Sequence, residues 1–241
     1  MNMQLSFAAT QTAEPEPVDE LEFENDFVEI NRVDLDENSW IEVVPGLVRS
    51  PQNLFARLRR EFSWSQRQRW MYDRKVDNCL TSSYPQIREA PYEALRTLAR
   101  RLLQVYGVTY DGLWVNLYRD HRDSTAWHGD SITCKRDICT VPVLTLGHPR
   151  RFLVKPRAGG KSVPFTPASG DLLVMRGRCQ VDWRHAVPKQ ARAATARISV
   201  NFQSTEQLAP DNPSGRSRTN SPEVQKKDKG RPSRLSPLWN R

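Results

Sequence analysis

Two histidines, an aspartate and an arginine stand at spacings that suit metal chemistry. His128 and Asp130 form an H-x-D pair in "STAWHGDSIT", and His185 follows in "VDWRHAVPK". Alone, an H-x-D pair specifies nothing, because chance supplies it in almost any chain of this size. On a strand, residues i and i+2 face the same side, so His128 and Asp130 can address one ion. Two neutral imidazoles and one carboxylate on one face of a metal leave three coordination positions open, the pattern of non-haem Fe(II) sites. Two of those positions suit a chelating 2-oxo acid and the third suits O₂. Arg197, in "RISVNF", offers a planar fork for a distant carboxylate. Upstream, Asn116 and Tyr118 form an N-x-Y pair on a segment that runs towards His128.

These residues need a scaffold. "PQNLFARLRREFSW" reads as a short helix. "APYEALRTLARRLLQVYG" reads as a longer one, with Leu95, Leu98, Leu102, Leu103 and Tyr106 on one face and Gly107 as its stop. The chain then changes character. "LWVNLY", "TVPVLTLG", "RRFLVK", "DLLVM" and "RISVNF" are short and β-rich, with Gly, Pro and polar turns between them. Helices followed by a run of strands predict an α+β, mainly β fold with helices backing a sandwich or barrel.

Charge divides the 241 residues into three parts. Residues 1–40 hold eleven acidic residues and one arginine, a net charge of −10. Residues 41–208 reach +13, and residues 209–241 add +5. A basic centre suits a polyanionic partner, nucleic acid above all. The acidic start and the Pro-, Ser- and Lys/Arg-rich end read as mostly disordered. Within the arm, Phe23, Phe27 and Ile30 are candidates for docking onto the domain. No apolar run approaches a membrane span, and the first residues lack the pattern of a secretory signal. Cys79, Cys134, Cys139 and Cys179 contain no C-x-x-C pair and read as reduced thiols.

The linked stretches "NLYRDHRDSTAWHGD", "GDLLVMRGRCQVDWRHAVPK" and "RISVNF" resemble the AlkB family of Fe(II)/2-oxoglutarate dioxygenases. The likeness is to the branch of the third vertebrate homologue and actinobacterial relatives. It covers about residues 40–203, and the twelve-residue gaps Asn116–His128 and His185–Arg197 fit that branch. The resemblance implies a double-stranded β-helix (jelly roll) with helices packed on one sheet. It implies Fe(II) held by His128, Asp130 and His185, and 2-oxoglutarate held by Asn116, Tyr118 and Arg197, with O₂ as second co-substrate. It further implies oxidative demethylation of N-alkylated bases such as 1-methyladenine and 3-methylcytosine in single-stranded DNA or RNA, releasing formaldehyde, succinate and CO₂. "RQRWMYDRKVDN" resembles the family's nucleotide lid, and Tyr84 and Trp127 are the aromatics expected to contact a base. A demethylase of RNA or protein, or a weakened nucleic-acid binder, remains an alternative.

Three departures bear on that choice. Gln203 stands where the family places a second arginine for the co-substrate. Removing one partner of a desolvated carboxylate can cost ~3–5 kcal/mol. "NCLTSSY" lacks a Pro-Arg found before the lid's apolar residue, and Ser131 and Ile132 follow H-x-D in place of acidic residues. The expected organisation is an acidic arm over 1–38, a monomeric dioxygenase domain over 39–207 and a basic tail over 208–241. "QLSF" at residues 4–7 faintly resembles a sliding-clamp motif. The expected compartment is the one that holds nucleic acid: the cytoplasm of a bacterium, or the nucleus or cytosol of a eukaryote. The charge pattern predicts single-strand binding that weakens steeply with added salt. Removing residues 209–241 should flatten the salt slope, and removing the acidic arm should tighten binding. Filter-binding measurements across a salt series would check both.

Overall fold

The computed structural model describes residues 27–71, 74–130 and 134–208, with backbone only over 67–78. The clamp-like motif and the basic tail lie outside them, as do Phe23, Ser131 and Ile132. Two short strands open the fold, β1 (Asn31–Asp34) and β2 (Ser39–Val44). Helix α1 (Pro51–Glu61) starts on a proline, whose missing N–H costs nothing in a first turn, and buries Leu54 and Leu58. A hairpin follows, β3 (Ser65–Met71) and β4 (Arg74–Tyr84). Helix α2 (Glu93–Tyr106) buries Leu95, Leu98 and Leu102. It ends where Gly107, at φ 67°, returns its N–H to the Leu103 carbonyl. Leu103 itself is exposed, so the apolar stripe is narrower than the sequence implied.

The rest is strand after strand: β5 (Gly112–Tyr118), β6 (Thr125–His128), β7 (Cys139–Gly147), β8 (Phe152–Pro156), β9 (Val163–Phe165) and β10 (Leu172–Gly177). One helical turn, α3 (Cys179–Asp182), leads into β11 (Trp183–Val187), and β12 (Arg197–Gln203) completes the sheets. The strands form an eight-stranded sheet in the order β1-β2-β10-β7-β12-β5-β4-β3 and a four-stranded sheet β6-β11-β8-β9. All recorded pairings are antiparallel. This is the jelly-roll, mainly β architecture expected, with helices on one sheet.

Alternation along the large sheet builds two cores. Leu113, Val115 and Leu117 of β5, with Ile198, Val200 and Phe202 of β12, meet α1 and α2. The opposite face sends Tyr118, Val141 and Val143 towards Phe152, Val154 and Trp183 of the small sheet. The β7–β12 ladder ends at the Asn201–Val143 pair, just before Pro142, which has no N–H to give. Among the described residues, no helix is long and apolar enough to cross a membrane.

The acidic arm behaves differently from expectation at its end. Residues 31–34 pair with β2, and Phe27 meets Tyr106 edge-on with ring centroids 6.0 Å apart. Residues 27–38 therefore take part in the fold, and a deletion that tests the arm's charge should spare them. Gly147 ends β7 at φ +86°, where an added Cβ would lie 2.5 Å from the Ala196 carbonyl oxygen and 2.8 Å from the Phe55 ring. Gly147→Ala should destabilise the fold by ~2 kcal/mol or more, lowering Tm by about 4–8 °C in a calorimetric melt.

Candidate active site

The site lies between the two sheets. On the small sheet, β6 and β11 run antiparallel with His128 opposite His185. Asp130 follows two residues after His128 and is fixed by its backbone N–H, which donates to the buried Gln180 Oε1 at 2.7 Å. The imidazole rings of His128 and His185 have centroids 4.2 Å apart. Asp130 brings one carboxylate oxygen within 3.7 Å of His128 Nε2 and the other within 3.4 Å of His185 Nε2. One ligand atom from each residue lies within 4.8 Å of the others. That separation fits three donors around one ion, each about 2.0–2.2 Å from it.

Protonation favours the same reading. His128 Nδ1 lies 2.7 Å from the Ala126 carbonyl oxygen. A carbonyl can only accept, so Nδ1 carries a proton there and Nε2 is the ring nitrogen left to face a metal. His185 is buried, and burial pushes its pKa down to about 4 against the opposing pull of Asp130. It is neutral at neutral pH. Phe152 stacks on it at 5.3 Å and fixes its ring plane.

The large sheet supplies the other wall. In the register of β5 with β12, Tyr118 stands opposite Arg197, and Asn116 opposite Ser199. Asn116 Oδ1 accepts from Trp114 Nε1 at 3.0 Å, while its Nδ2 donates to Ser199 Oγ at 3.4 Å. The Tyr118 hydroxyl lies 2.6 Å from Thr125 Oγ1, and burial raises its pKa to about 12, so it stays protonated. Arg197 is 1% exposed. Its Nη2 donates to Thr145 Oγ1 at 3.1 Å, but Nε and Nη1 meet no hydrogen-bond partner among the described residues. Two unmet donors on a buried guanidinium are the mark of an anion site. One cleft is lined by His128, His185, Asn116, Tyr118 and Arg197.

The chain belongs to the 2OG-Fe(II) oxygenase superfamily. The model of that superfamily matches residues 32–221. Fe(II), 2-oxoglutarate and O₂ are the superfamily's metal and co-substrates, and its members are oxidoreductases. The His-Asp-His triad fits the metal, and the unmet Arg197 donors fit a carboxylate. Among curated proteins, human alpha-ketoglutarate-dependent dioxygenase alkB homolog 3 is 32% identical over 120 residues, 46% of this chain and 42% of that one. The Bos taurus protein of the same name is 27% identical over 187 residues, 68% of this chain and 65% of that one. Arabidopsis thaliana DNA oxidative demethylase ALKBH2 is 30% identical over 119 residues, 40% of this chain and 38% of that one. The chain thus spans less than two thirds of these relatives' own length. The solved structure of OsALKBH1 shares the fold at a TM-score of 0.51 and 13% identity, over 68% of this chain and 97% of that one.

Three expected site residues lie elsewhere. Tyr84 packs on Phe62 in the helix-side core, with ring centroids 4.9 Å apart. Trp127 precedes His128 on β6, where successive side chains take opposite faces, and carries Lys155 Nζ 4.3 Å above its ring. Gln203 is not among the residues lining the cleft, whereas Ser199 and Asn201 are. Sequence reasoning passed over those two, although period-two alternation places both on the face of Arg197. It also missed Gln180, for which no sequence signal existed. Cys134 and Cys139 are joined as a disulfide, not reduced, and the Cys134 N–H donates to the Asp130 carbonyl at 2.9 Å. Cys79 and Cys179 are free and buried.

His128→Ala, Asp130→Ala and His185→Ala should each abolish tight Fe(II) or Co(II) binding in calorimetry while keeping the far-ultraviolet circular dichroism of the parent. Gln203→Ala should leave the anaerobic dissociation constant for 2-oxoglutarate within about twofold, under half a kcal/mol. Arg197→Gln should raise that constant by about tenfold or more, because it removes a charged donor from a dry site.

Proposed function

We propose that this chain is an Fe(II)/2-oxoglutarate-dependent dioxygenase that demethylates N-alkylated bases in single-stranded nucleic acid. The observation that carries the reading is one cleft lined both by His128 and His185 of the triad and by the buried Arg197 with its unmet donors. The basic +13 centre and the likeness to AlkB homologues support nucleic acid as the substrate class.

The metal, with O₂ and the 2-oxo acid, would supply the oxidising equivalent. His128, Asp130 and His185 would hold it on one face. Arg197, Tyr118 and Asn116 would orient the 2-oxo acid. The balanced reaction takes N–CH₃, O₂ and 2-oxoglutarate to N–CH₂OH, succinate and CO₂. The hydroxymethyl group then leaves as formaldehyde, and the nitrogen regains its proton or lone pair. The target base must leave its stack, which costs a few kcal/mol and favours damaged or single-stranded sites.

The β3–β4 hairpin suits a strand-holding role. Pairing of β4 with β5 begins at Leu80–Leu117, and residues 74–77 pair with β3 beyond the end of that ladder. This backbone overhang lies on the Tyr118 side of β5. An enzyme of this kind works where nucleic acid is, in bacterial cytoplasm or in a eukaryotic nucleus or cytosol.

The test is turnover by the iron-loaded chain on 1-methyladenine and 3-methylcytosine oligonucleotides, as DNA and as RNA, with a methylated peptide in parallel. Formaldehyde and succinate should appear in equal amounts with a methylated oligonucleotide. Turnover of the peptide alone would move the substrate class to protein. Tight oligonucleotide binding with no succinate would make the chain a binding protein.

A further inference from the structure

Arg150 is a second fully buried arginine, at 0% exposure. It sits in the turn between β7 and β8 and forms no ion pair among the described residues. Its three recorded hydrogen bonds all go to backbone carbonyls. Nη1 donates to Asp120 at 2.8 Å, and Nη2 donates to Asp123 at 2.9 Å and Pro188 at 2.8 Å. The carboxylates of that loop are engaged by other arginines. Asp123 takes Arg119 Nε and Nη2 at 2.8 Å, and Asp120 takes Arg122 Nη2 at 2.7 Å.

The carbonyls it holds belong to two segments that frame the cleft. Residues 119–124 leave β5 directly after Tyr118, and residues 188–196 lead directly into β12 at Arg197. Two backbone bonds tie these loops further. The Gln190 N–H donates to the His121 carbonyl at 2.9 Å, and the His148 N–H to the Ala196 carbonyl at 2.9 Å. The Arg150 guanidinium centre lies 5.6 Å from the Tyr118 ring centroid, and that of Arg197 lies 5.3 Å from the same centroid. Two buried guanidinium groups therefore meet around one phenol, and neither has a carboxylate.

We propose that Arg150 is a positioning residue for the far carboxylate of the 2-oxo acid, holding the loops that adjoin Tyr118 and Arg197 and adding positive charge at that end of the cleft. The proposal rests on Arg197 as the carboxylate site. Burial lowers the pKa of both arginines, but a guanidinium is basic enough to stay charged. Like charges in a dry setting repel, and an incoming carboxylate relieves that repulsion. A neutral cross-link could join three carbonyls without that effect. The charge is what ties Arg150 to a diacid.

The discriminating experiment compares two ligands on the metal-loaded full chain without oxygen. One is 2-oxoglutarate. The other is pyruvate, which chelates through the same 2-oxo acid group and lacks the far carboxylate. In Arg150→Gln, calorimetry should show 2-oxoglutarate weakened by about tenfold, the scale of losing a group that holds a ligand in place, with pyruvate within about twofold. Arg150→Lys keeps the charge with fewer donors and should fall between. Equal weakening of both acids, or no change in either, would overturn the proposal and leave Arg150 a plain cross-link. If Arg150→Gln does not fold, the same ratio is read from Arg150→Lys. A wild-type chain that binds pyruvate as tightly as 2-oxoglutarate would instead remove the carboxylate role of Arg197, and that outcome is seen before any variant is made.

Discussion

A guanidinium in a dry interior without a carboxylate is the constraint around which this fold is arranged. Arg197 loses its hydration and gains in return one hydroxyl, from Thr145. Breaking or omitting a partner of a buried charge costs several kcal/mol. The surrounding structure has to hold that charge in place, and the alternation of β12 does so. Ile198, Val200 and Phe202 are packed on the helix-side core, which fixes the strand's rotation. Arg197, Ser199 and Asn201 then face the small sheet because no other face is left to them. The same apolar contacts that stabilise the domain keep the charge aimed at the cleft.

Register carries this argument to the metal side. A one-residue slip turns every side chain of a strand to the other face. If β6 slipped, Trp127 would point inward and His128 outward. The His128–His185 pairing prevents this only because β11 is held by β8 across four paired residues, Trp183 to Ala186. Phe152 on β8 then stacks against His185. Asp130 lies beyond the strand and has no ladder to fix it, so Gln180 does that work from α3. Two residues of the triad are placed by sheet register and the third by a side chain fifty residues away.

What the sequence revealed follows the same division. The helix ending at Gly107 and the strands around "TVPVLTLG" and "RISVNF" were legible because their apolar residues recur with a clear period. The residues His128, Asp130, His185, Asn116, Tyr118 and Arg197 were legible because their types are scarce in apolar surroundings and their order is linked. Strands β1, β6 and β9 were not, being only four, four and three residues long and too short to show a period. Aromatics misled for a related reason. A tyrosine or tryptophan serves packing and recognition equally well, and only the face it occupies separates them. Tyr84 and Trp127 occupy other faces. Gln203 was read from its alignment with a family arginine, but a strand advances about 3.3 Å per residue. Six residues beyond Arg197, it reaches the cleft only with a long side chain, which glutamine lacks.

Two of the three departures from the family pattern lie outside β5, β11 and β12, and the third, Gln203, ends β12 without lining the cleft. Asn78 and Cys79 stand just before β4 begins to pair with β5, and Ser131 and Ile132 follow the last metal ligand of the H-x-D pair. His185 on β11 and the Arg197 wall on β5 and β12 are instead held by ladders with neighbours on both sides, whereas His128 sits on the edge strand β6. A change within a central ladder disturbs two neighbours and a packed core together. A change in the overhanging part of an edge hairpin disturbs one strand. A change in the hairpin's overhang can therefore leave the ladders of His185 and Arg197 undisturbed, because the two have different hydrogen-bonded neighbours.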